Sequence, residues 1–141
     1  MKTIQKFLKM IFLSLLVTST IYAAEIHKVV IQVSTDDVRT QKIALNNAVN
    51  LQKLYGSENV IIEIVAYGLG LSLLMTNYKD SSRVKSLAMQ DITFSACSNT
   101  INGIIKKTGK EPILTDGVLK VNAGVARIIE LQEKGYSYIR P

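Results

Sequence analysis

Along residues 28–139 the apolar positions switch repeatedly between short β-branched runs and stretches with helical spacing. Lys28 to Val33 is nearly continuous Val and Ile, the pattern of a strand buried on both faces of a parallel sheet. Ser34, Thr35, Asp36 and Asp37 then offer capping oxygens and negative charge, and Val38, Leu45, Ala48, Val49 and Leu51 recur at helical spacing until Gly56. Val60 to Ala66 reads as a second strand, so the opening of the chain is a βαβ unit with an expected right-handed crossover.

Beyond it, Tyr67-Gly68-Leu69-Gly70 predicts a turn, with a short helical stretch from Leu71 to Met75. The glycines there can serve a tight turn or let backbone approach a ligand. A helix is predicted over Ser81–Met89, and a third strand over Ile92–Ala96 that delivers Cys97 at its carboxyl end. Ser98 is placed to cap a helix running through Ile101, Ile104 and Ile105 to Lys106 and Lys107, whose charges suit its last turn. From Gly109 to Asn122 the periodicity fails, apart from a short strand at Val118–Val121. A last helix over Val125–Lys134 stops at Gly135, and Tyr136–Ile139 closes as a strand. Strands alternating with helices predict a three-layer α/β domain, a mainly parallel sheet with helices on both faces.

The first 23 residues follow another rule. Lys2, Lys6 and Lys9 precede the apolar run from Met10 to Val17, which Thr18-Ser19-Thr20 ends before Ala23 and Ala24. This is the layout of a secretory signal peptide, with cleavage expected after Ala23 and a domain over residues 24–141. The run is too short to span a bilayer, so periplasmic location without stable membrane insertion is expected. Ile21, larger than usual at its place before the cut, leaves an uncleaved anchor as the competing reading.

The three leader lysines supply half of the formal charge of +6. What remains shows no basic stripe and no aromatic residues interleaved with charge, so nucleic acid is not an expected partner. One cysteine and one histidine in the whole chain exclude an internal disulfide and give no zinc or copper spacing; neither metal nor cofactor is expected.

Cys97 therefore holds the candidate chemistry, since a thiol just before a helix meets unpaired amides that favour thiolate. Buried and inert is the alternative. Thr100 stands where a thioredoxin motif needs its second cysteine, residues 97–103 contain no arginine for an anion-cradling loop, and His27 is a poor base in the early chain. A dinucleotide fingerprint fails at Leu73. A thiol activated by backbone suits carrying a group better than hydrolysing one.

Four segments carry a resemblance: Ala44-Leu45-Asn46-Asn47-Ala48, Glu63-Ile64-Val65-Ala66-Tyr67-Gly68, Phe94-Ser95-Ala96-Cys97-Ser98-Asn99-Thr100, and Gly135-Tyr136-Ser137-Tyr138-Ile139-Arg140-Pro141. In this order they resemble the exported branch of the DsrE/DsrF-like family, related to TusD-type sulfur relay proteins. The resemblance implies a ring-like homo-oligomer, a trimer or hexamer, and a cysteine that accepts sulfur as a persulfide, exchanging it with donor and acceptor proteins. Asn47, Tyr67, Gly68 and Asn99 are the candidates for the pocket wall around Cys97, with satisfaction of helix-end backbone as the alternative for Asn47 and a subunit contact as that for Tyr67. The function expected is a periplasmic sulfur carrier, and the alternative is a non-catalytic small-ligand or partner-binding module in which Cys97 is structural.

Overall fold

The computed structural model describes residues 26–141. The leader expected over residues 1–23 lies outside the described residues. Among the described residues, no helix is long and apolar enough to cross a membrane.

The chain runs β1 (His27–Val33), α1 (Val38–Tyr55), a 3-10 turn (Ser57–Asn59), β2 (Val60–Ala66), a 3-10 segment (Gly68–Leu74), α2 (Ser81–Ala88), β3 (Ile92–Cys97), α3 (Ser98–Thr108), β4 (Val118–Val121), α4 (Gly124–Glu133) and β5 (Ser137–Ile139). The strands form one sheet in the order β4-β3-β2-β1-β5, and every pairing is parallel. The first three crossovers step one strand at a time in one direction. The last runs back across the sheet to β1's free edge, and right-handed connections then put its helix on the opposite face.

The packing follows this reversal. Val29, Ile31, Val33, Ile62, Ile64, Ala66, Ile92, Phe94 and Ala96 share the large core with residues of α1, α2, α3 and the 3-10 segment. On the other face Val30 and Val65 pack against Ile128 and Leu131 of α4. Both faces of the central strands are thus covered, which explains why β1 and β2 read as continuous β-branched runs rather than as alternating ones.

Local chemistry decides the boundaries. Of the four capping candidates before α1, Asp37 is the cap: its Oδ1 accepts from the Thr40 amide and hydroxyl, both at 2.7 Å. Gln41 is buried and donates to Thr35 O and Ser72 Oγ, each at 2.9 Å, tying α1 to the 3-10 segment. That segment begins at Gly68, three residues before the expected helical stretch, and is 3-10 throughout. Gly70 makes this possible by a backbone approach of its own, since a Cβ there would lie 2.1 Å from Val33 O. At Gly70 the close approach that this turn allows is made to the end of β1. In the aperiodic stretch after α3, order comes from the main chain: Met75 bridges Leu114, Thr76 N donates to Ile113 O at 2.9 Å and Thr115 N to Leu74 O at 2.8 Å.

Candidate functional site

Cys97 ends β3 and is the N-cap residue of α3, so Ser98 is the first helical residue and not the cap. Side chains alternate along β3: Phe94 and Ala96 enter the large core, which turns Ser95 and Cys97 toward α4. Cys97 pairs in register with Val121 at the end of β4, three residues before α4 begins. Two helix starts therefore flank one sulfur.

Burial pushes the Cys97 thiol up. Against this, the Thr100 hydroxyl and the backbone N–H groups of Gly124, Thr100 and Asn99 favour the anion, and together they hold the thiol below its ordinary value. All four donors are uncharged. The expected thiolate-favouring surroundings are present, and Cys97 is only 5% exposed, more enclosed than the α3 start alone would leave it. The difference comes from α4, whose amino end closes on the cysteine in addition to the α3 start foreseen from spacing.

The other expected wall residues divide. Gly68 lies in an open hollow of about 500 Å³ with Asp36, Leu71, Met75, Thr100 and Lys107, at the carboxyl ends of the strands. Its amide donates to Thr100 Oγ1 at 2.9 Å, so Thr100 stands between this hollow and the sulfur. Tyr67 turns to the α4 side, half-buried against Val30, Val65, Ile128 and Leu131, with its ring beside Gly124. Asn99 is exposed on the first turn of α3, and its amide donates to Asn122 O at 3.3 Å. Asn47 is not brought to Cys97: it lines a separate hollow with Asn50, Leu51, Leu54 and Ile139, on the β5 side of the sheet. An α1 residue midway along the helix has already left the carboxyl ends of the strands, which is why it falls outside the site.

His27 is ordered at the amino end of β1, stacked on Tyr55 with ring centroids 3.8 Å apart. It is at the opposite end of the sheet from Cys97 and cannot act as its base. Among the described residues no three His, Cys, Asp or Glu side chains group to hold a metal ion.

Three residues near the site, Glu63, Gly124 and Arg127, were not among the expected site residues. Glu63 is buried at the centre of β2, where its Oε1 accepts from Ser95 Oγ at 2.6 Å and from Arg127 Nε at 2.8 Å, and its Oε2 from Arg127 Nη2 at 2.8 Å. Glu63 holds the guanidinium protonated still more firmly than usual, its hydrogen bonds outweighing partial burial. A lone carboxylate inside a β-branched run was the available signal for this cluster. Gly124 had only the weaker signal of a glycine opening a helix, and Arg127 had none.

No protein-family model matches the chain, and no curated protein does. Among solved structures, the fold is similar to MTH1491 from Methanobacterium thermoautotrophicum, a protein of unknown function. That likeness has 34% sequence identity and a TM-score of 0.73, and covers 82% of this chain and 99% of that one. It is also similar to YchN from E. coli at 13% identity and a TM-score of 0.63, covering 83% of this chain and 99% of that one, a likeness of fold alone. With a five-stranded parallel sheet, helices on both faces and this identity over the whole of the archaeal protein, the chain belongs to the family of MTH1491, within the DsrE/YchN-like α/β fold.

Proposed function

We propose that this protein is an exported sulfur carrier that holds sulfane sulfur on Cys97 as a persulfide. The observation that carries the reading is the place of Cys97, at the carboxyl end of β3, as the N-cap residue of α3 and paired with Val121 three residues before α4 begins. The Cys97 thiolate attacks the sulfane sulfur of a polysulfide or persulfide donor; a new S–S bond forms to Cys97 while the donor's S–S bond breaks, and the electron pair leaves with the donor thiolate or hydrosulfide. No separate oxidant is consumed. The terminal persulfide sulfur carries its charge toward the amides of these helix starts, and attack by an acceptor thiolate reverses the sequence.

The fold shared with YchN lends weak support to a sulfur-related role. The basic, apolar and small-residue layout of residues 1–23 supports export to the periplasm after cleavage, and with it membership of an exported branch related to TusD-type proteins. Assembly as a trimer or hexamer, and exchange with donor and acceptor proteins, belong to the same proposal.

The test is intact mass after exposure to polysulfide. The wild type is expected to gain sulfur-sized increments that Cys97→Ser does not; equal gains, or none, overturn the carrier reading. The second reading, a small-ligand module with a structural cysteine, is favoured by the 5% exposure of Cys97 and the open hollow beside Thr100. It is the reading left standing if no sulfur is gained.

A further inference from the structure

We propose that the Glu63–Arg127 pair is a positioning device for Cys97: by pinning the first turn of α4 to the centre of the sheet, it holds the Gly124 amide against the sulfur. This deepens the carrier reading and rests on it for the use to which the thiol is put.

The buried apolar side chains of α4, Ile128 and Leu131, begin only at its fifth residue, after the first turn. In the first turn Val125 is 51% exposed and Ala126 is exposed, while Gly124 is buried but has no side chain. Arg127 is thus the side chain that anchors this turn to the sheet. It does so through two parallel bonds of 2.8 Å to one carboxylate, a fork that fixes direction as well as distance. The carboxylate is itself fixed, because Ser95 Oγ donates to it at 2.6 Å from the neighbouring strand. Ser95 lies two residues before Cys97 on the same face of β3, so the clamp and the sulfur share one strand.

Three residues before Arg127, Gly124 occupies the same face of the helix. A Cβ at Gly124 would come within 3.0 Å of Tyr67 Cβ and Cδ1, so this turn is seated closely on the ring. Swinging the turn outward would withdraw an amide with no partner inside its own helix. The ionisable side chains on the surrounding elements are Glu63, Tyr67, Lys120, Arg127 and Glu130, and none contributes by charge to the thiol's acidity. Arg127 therefore acts through α4 and not through its own field.

The experiment reads the alkylation rate of Cys97 against pH in the wild type, Arg127→Gln, Arg127→Lys and the double variant Glu63→Gln/Arg127→Gln. Circular dichroism checks that each is folded, and amide exchange at Gly124 is followed in parallel. The double variant leaves net charge unchanged, so a shift there reports geometry. The expected result is slower alkylation near neutral pH, roughly tenfold in Arg127→Gln and in the double variant. Faster exchange at Gly124 should accompany it, with Arg127→Lys intermediate. A low wild-type midpoint that none of the variants moves overturns the positioning role and leaves the carrier reading intact. An ordinary midpoint in the wild type overturns both. A shifted midpoint in a protein that takes up no sulfur from polysulfide supports the positioning role while the carrier reading fails.

Discussion

Gly68 and Thr100 are joined by a single hydrogen bond of 2.9 Å that links the turn after β2 to the first turn of α3. The Thr100 oxygen accepts from Gly68, which leaves its own hydrogen free to favour a thiolate at Cys97. The residue that excludes a thioredoxin motif thus helps to favour the anion of the thiol.

Thr100→Val keeps the shape of the side chain and removes the hydroxyl. Cys97 should lose one donor to its anion and become a weaker acid, slowing alkylation near neutral pH by roughly tenfold, the worth of one hydrogen bond to a charged group. Thiol titration of the folded variant checks this, and an unchanged rate–pH profile would show that the hydroxyl does not serve the sulfur.

Two glycine substitutions should act in opposite directions. A Cβ on Gly70 would collide with Val33 O and with Ser34 N at 2.8 Å, backbone atoms that cannot step aside, so Gly70→Ala should cost about 3 kcal/mol or more. Gly103 lies inside α3 with nothing within 4 Å of its would-be Cβ, and Gly103→Ala should stabilise by about 0.5–1 kcal/mol. Urea denaturation of the two variants measures both.

The cap of α1 gives a pH dependence with a definite sign. Hydrogen bonds from the Thr40 hydroxyl and amide hold the Asp37 carboxyl below its ordinary value. Because the folded value is the lower one, the cap's contribution is complete above the unfolded carboxyl's range, about pH 4, and is lost as pH falls through the folded value. Asp37→Asn should therefore melt below wild type near neutral pH, with the gap closing in acid. A gap that stays constant with pH would contradict this.

Strands were legible where burial on both faces left an unbroken signature: Val60–Ala66 falls where the β-branched run places it, and Val118–Val121 emerges from otherwise aperiodic sequence. Cys97 at a strand end before a helix was equally readable, because the change from strand to helical spacing occurs there. The second helix start at the thiol was not, since Gly124 reaches Cys97 only through the pairing of β3 with β4 and the return of the chain across the sheet. Arg127 and Glu63 are 64 residues apart in sequence, and no local pattern joins them. Asn47 failed for the converse reason: its local match to the resemblance says nothing of which end of the sheet that part of the helix overlies.

The two edge strands are the two shortest, four residues in β4 and three in β5, flanking strands of six or seven. β4 carries the exposed Lys120, and β5 is followed within two residues by Pro141, which has no amide to donate. Short, charged and proline-ended margins are poor templates for another chain's backbone. Copies of this protein that associate should therefore meet through side chains on their faces, and the sheet should not propagate from one copy into the next.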